Sequence, residues 1–97
     1  MATYIALANF TDQGIRNVKD TTKRADAVRE MAKKFGVTVK EVYWTLGAYD
    51  VVAIFDAPDD ASMTALGLAI GMGGNARTQT LRAFTKDETA KILARLA

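Results

Sequence analysis

Residues 3–10 are apolar on both alternating sets, Tyr4/Ala6/Ala8/Phe10 and Ile5/Leu7, the pattern of a strand covered on both faces. From Asp12 to Phe35 the small or apolar positions Ile15, Val18, Thr22, Ala25, Val28, Ala32 and Phe35 recur at spacings of three and four, which predicts one amphipathic helix. Thr11 or Asp12 can cap its start and Gly36 suits a left-handed stop. Its outer face offers Arg16/Asp20, Asp20/Arg24 and Glu30/Lys34, opposite charges four residues apart.

Val37–Leu46 and Val51–Asp56 read as a second and a third strand, joined by a short hairpin through Gly47-Ala48-Tyr49-Asp50. The third strand is again apolar on both sets. Ala57-Pro58-Asp59-Asp60 ends it and opens a helix over 60–72, because either aspartate can accept the first free amide hydrogens. Gly73-Gly74 stops that helix, and Gly67 and Gly71 suit close packing on the sheet or on a neighbour. Residues 75–84 give a fourth, more polar strand. Thr85-Lys86-Asp87-Glu88 is a capping box ahead of a last helix with Ile92, Leu93 and Leu96 on one face.

This order, βαββαβ plus a C-terminal helix, predicts an α+β chain with the ferredoxin-like sandwich: an antiparallel sheet in spatial order 4-1-3-2 with two helices on one face. The doubly apolar strands one and three then fall in the centre and the more polar two and four at the edges. Helices of the same chain cover one face only, so the other is expected to pair with a second copy, as in a dimeric α/β barrel. Ninety-seven residues suffice for a single domain, 1–97, whose small core gains from a partner.

Composition narrows the chemistry. With no histidine and no cysteine, the chain has no imidazole or thiolate for a catalytic triad, a zinc centre or a proximal haem ligand, and neither metal nor cofactor is expected. Acid-base work would fall to a displaced Asp, Glu, Lys or Tyr. A net charge of +2 with alternating signs argues against nucleic acid as the partner. The third strand also lacks the basic and aromatic pattern of an RNA-recognition module. The glycines at 71–74 follow a helix and precede a strand, the wrong polarity for a phosphate cradle. The N-terminal stretch has no basic n-region, and the uncharged stretch 61–76 contains Gly67, Gly71, Gly73 and Gly74. A cytoplasmic protein with no membrane partner is the expectation.

Gly47-Ala48-Tyr49-Asp50, followed by Ala57-Pro58-Asp59-Asp60, resembles the GYD-domain family, small bacterial and archaeal proteins of the dimeric α/β barrel superfamily. Thr11-Asp12-Gln13-Gly14, Lys19, Arg24 and the run Gly74–Phe84 are similar to that pattern too, so the resemblance covers nearly the whole chain. It implies the fold and the pairing and supplies no catalytic residues.

The candidate pocket residues are Asn9, Lys19, Trp44, Tyr49, Asp50 and Arg77. Asp50 serves either as turn chemistry or, beside the Tyr49 phenol, as a base at a pocket mouth. Trp44 suits an interface anchor better than a catalyst. Lys19, Arg24 and Arg77 are either surface charges or cations turned toward a pocket at the end of the sheet, and Asn9 either contacts a ligand or bonds backbone. The first functional reading is a homo-oligomer, dimeric or higher through its sheet face, that binds a small molecule or builds an assembly. The alternative is a cofactor-independent oxygenase or isomerase with its site in the barrel cavity.

Overall fold

A computed structural model describes residues 1–96. Strands β1 (Ala2–Phe10), β2 (Thr38–Trp44), β3 (Val51–Ala57) and β4 (Ala76–Ala83) form one antiparallel sheet in the order β2-β3-β1-β4, the expected ferredoxin-like arrangement. Helices α2 (Thr21–Lys33) and α3 (Asp60–Met72) flank it, and α4 (Lys86–Ala94) follows β4. Among the described residues no helix is long and apolar enough to cross a membrane.

The core lies between the helices and the inner face of the sheet. Tyr4, Val37, Val39, Phe55, Ala57, Met63 and Leu66 pack there with Ala6, Ala32 and Ala53. Tyr4 carries its hydroxyl to the Asp60 carboxylate, a bond that raises the phenol's pKa. By strand alternation the other face presents Ile5 and Leu7 of β1, Val52 and Ile54 of β3, Tyr43 of β2 and Leu81 of β4. Among the described residues no helix covers them, and all six are half-buried or exposed.

The periodicity over 12–35 predicts one helix, but the segment divides. Helix α1 (Asp12–Arg16) ends at Asn17, a 3-10 turn spans Val18–Asp20, and α2 begins at Thr21. The reason is anchorage at both ends. Thr11 caps α1 through the Gly14 N–H at 3.1 Å, donates its own N–H to Asn75 O at 3.1 Å, and Gln13 reaches Gly73 O and Asn75 Oδ1. That docking fixes the direction of α1, while α2 must follow the sheet, and a straight helix cannot satisfy both. The three expected charge pairs are absent as well. Glu30 bonds Lys33 at 3.0 Å instead, and Arg24 turns inward to donate to Asn17 O at 2.7 Å and Gly14 O at 3.2 Å, satisfying the end of α1.

A second departure lies in β2. The register slips between Val39 and Glu41, so Val39 opposes Phe55 while Val42 opposes Ala53 and Trp44 opposes Val51. This β-bulge resets the alternation and keeps all three inward. Gly67 and Gly71, expected to permit close packing on the sheet or on a neighbour, have open space within 4 Å of where a Cβ would stand among the described residues, so neither packs closely on the sheet.

The caps form as expected. Asp59 accepts from the Ser62 N–H at 2.8 Å, and Thr85 and Glu88 bond each other's backbone at 3.1 and 2.9 Å. Asp59→Ala should lower the urea-unfolding midpoint, because the Ser62 N–H loses its cap. The Ser62 amide holds the Asp59 carboxyl below its ordinary pKa. Its contribution is therefore full above that ordinary value and is lost as pH falls through the lowered one, and the wild-type advantage over Asp59→Ala should shrink there.

Candidate functional site

Large residues fill one end of the core and small ones leave the other hollow. Ala6 and Ala8 of β1 and Ala53 of β3 form the floor, and Ala25 and Val28 of α2 with Ala69 and Ile70 of α3 form the roof of a cavity of about 340 Å³. That volume lies in the range of small-molecule pockets, roughly 300–1,000 Å³. Phe10, Thr21, Arg24, Trp44, Asn75 and Ala76 line the end where β1 and β2 finish and β3 and β4 begin.

Two side chains frame this mouth. Trp44, about 43% exposed, donates its indole N–H to Thr21 Oγ1 at 3.0 Å and so bridges β2 to the start of α2. Arg24 sits half-buried with its guanidinium 5.9 Å from the centre of the Phe10 ring. Among the described residues it is the one charged side chain lining the cavity.

The six candidate residues do not converge. Trp44 lines the cavity on the inner face. Asn9 lies opposite Arg77 in the β1–β4 register, on the other face of the sheet, and both are exposed. Arg77 also borders a more polar groove between α3 and β4. Lys19 is exposed in the 3-10 turn and lines neither concavity. Tyr49 directs its hydroxyl to Gln79 Oε1 at 3.4 Å.

Asp50 closes the hairpin. Its carbonyl accepts from Thr45 N at 2.9 Å, its N–H bonds Ala8 O at 2.9 Å, and its carboxylate takes the Phe10 N–H at 2.9 Å. The aspartate thereby ties the turn to the last residues of β1, next to the cavity mouth.

Sequence reasoning did not single out the cavity's floor. A signal was present: alanines at successive inward positions of adjacent central strands, Ala6, Ala8 and Ala53, leave depth that larger residues would fill. It becomes a cavity only because α2 and α3 stand far enough from that floor, a distance no periodicity encodes.

The fold and motifs have counterparts among known proteins. The GYD domain model matches residues 4–93. A Thermus thermophilus protein named glutamine synthetase and cystathionine beta-lyase binding protein is 34% identical over 97 residues, covering 99% of each chain. A crystal structure of a Thermus thermophilus protein superposes with a TM-score of 0.55 at 26% identity, over 88% of this chain and 95% of that one. A family match spanning almost the whole length, on a sheet whose β2–β3 turn carries Gly47, Tyr49 and Asp50, means that this chain belongs to the GYD domain family.

Proposed function

We propose that this is a cytoplasmic, single-domain, homo-oligomeric binding protein that pairs with a second copy through the uncovered face of its sheet, in the manner of a dimeric α/β barrel. The observation that carries this reading is the apolar centre of that face. Ile5, Leu7, Val52 and Ile54 lie half-buried on the two central strands with no helix over them. Each can still gain roughly 1 kcal/mol on full burial. Around them stand polar side chains, with Glu41 on the β2 edge and Arg77 on the β4 edge. A twofold axis can bring such opposite charges together, since each contact is made twice. The Thermus relative is named for binding two enzymes, and an assembly role of that kind suits a chain with few groups for chemistry.

Native mass spectrometry at micromolar concentration tests this, with a dimer or a larger even assembly expected. A strictly monomeric spectrum would overturn the pairing.

The cavity favours a second reading, small-molecule binding. It has less to offer the enzyme alternative, an oxygenase or isomerase, because its lining supplies apolar surface and one permanently charged arginine but no side chain that exchanges protons near neutrality.

A further inference from the structure

We propose that the cavity between α2 and the sheet binds an apolar monocarboxylate, with the hydrocarbon or aromatic body on the alanine floor and the carboxylate on Arg24. This deepens the small-molecule reading and is independent of pairing through the opposite face of the sheet.

Three observations meet here. The chamber is lined almost wholly by Ala, Val, Phe, Met and Ile side chains, so it excludes polar groups from its depth. A volume of about 340 Å³ is large enough to give an apolar body packing contacts on several sides. The charge at its mouth is uncompensated. Ion pairs among the described residues are Lys33–Glu30, Lys40–Asp56 and Arg82–Glu88, and none involves Arg24. Asp20, one turn earlier on the chain, makes no ion pair with it.

The two backbone carbonyls that Arg24 holds, Gly14 O and Asn17 O, fix the guanidinium in place and leave further N–H donors of its five free. A guanidinium held in position, lacking an anion, at the rim of an apolar chamber is complementary to a molecule with one carboxylate and a greasy body. A phosphate ester or a sugar would fill the mouth and waste the depth. A neutral hydrocarbon would fill the depth and leave the charge unpaired.

Trp44, the chain's single tryptophan, stands at the mouth as a built-in reporter. The test titrates the full-length protein with decanoate and with 1-decanol below their aggregation limits, following Trp44 fluorescence and calorimetric heat. The expected result is saturable binding of both, with decanoate tighter by about tenfold or more. Arg24→Gln should remove that preference by weakening decanoate alone, and Arg24→Lys should keep part of it. Ala8→Leu, which fills the floor, should weaken both ligands.

Equal binding of decanoate and decanol to the wild type overturns the carboxylate assignment while leaving a small-molecule cavity standing. Absence of saturable binding of either below about 1 mM overturns both. Should a variant fail to fold, the wild-type comparison still decides, because preference for the anion over the alcohol is read without any substitution.

Discussion

Replacing Leu7 with lysine is expected to separate the proposed pair into monomers. Leu7 sits at the middle of the uncovered face, between Val52 on β3 and Gln79 on β4. In a single subunit the long lysine stem can lie along its apolar neighbours and carry the ammonium to water, so the fold should survive with an unchanged circular dichroism spectrum. In a face-to-face pair the same ammonium is shut away from water without an anion near it, and the twofold places a second one close by. We expect at least a 100-fold weaker association, about 3 kcal/mol, seen as a halved mass by native mass spectrometry. The wild type's melting temperature should rise with protein concentration and the variant's should not. An assembled Leu7→Lys protein would place the contact on some other surface.

The second large effect is expected at Gly14. An added methyl would overlap the backbone carbonyl oxygen of Asn75 and stand 2.9 Å from its carbon. Ordinarily alanine for glycine in a helix gains about 1 kcal/mol. Here the obstacle cannot rotate away, because Asn75 O also accepts from Thr11 N and the next residue already begins β4. The α1 docking must open instead, releasing the bonds of Gln13 to Gly73 and Asn75. A loss of about 3 kcal/mol is expected for Gly14→Ala, or a melting temperature lower by roughly 12–24 °C. Stability within about 0.5 kcal/mol of the wild type would mean that α1 is not docked in this way.

The difference between these two positions reflects what the chain makes legible. Leu7 belongs to a strand whose two alternating sets are both apolar, and that pattern by itself places β1 in the sheet's centre and leaves one face in need of cover. By spacing alone Gly14 is one more residue of a long amphipathic stretch; the family pattern includes it at the helix start, but its packing role comes from a carbonyl about sixty residues away. Hydrophobic spacing reports which face of an element is buried. It says nothing of where a helix must bend to meet a distant loop, and so 12–35 reads as continuous.

The same limit separates the candidate residues. The motif around Asp50 identifies the family, and the aspartate's three hydrogen bonds show a side chain and backbone engaged in joining a hairpin to the central strand. Trp44 reads as an interface anchor from its type alone, and the bulge at Val39/Glu41, which spacing does not reveal, sets it on the inner face at the cavity mouth. Arg24 is legible as a cation without a settled address. Only the tertiary arrangement gives it one, between the end of α1 and the mouth of the cavity.

Helix α4 has a consequence of a different kind. It packs only lightly on the other elements, is tied to β4 through Arg82 and Glu88 at 3.4 Å, and leaves Ile92 and Leu93 exposed, as is Leu96 just beyond it. The molecule is accordingly 52 Å long, with a radius of gyration of 14.6 Å where a compact chain of this length has about 12–13 Å. Nine residues are fewer than the roughly 12–15 an isolated helix needs to persist in water, even behind a complete capping box. The expected behaviour has two tiers: hydrogen exchange should find the central-strand amides opening only with the whole body, and the amides of α4 exchanging faster, by local fraying.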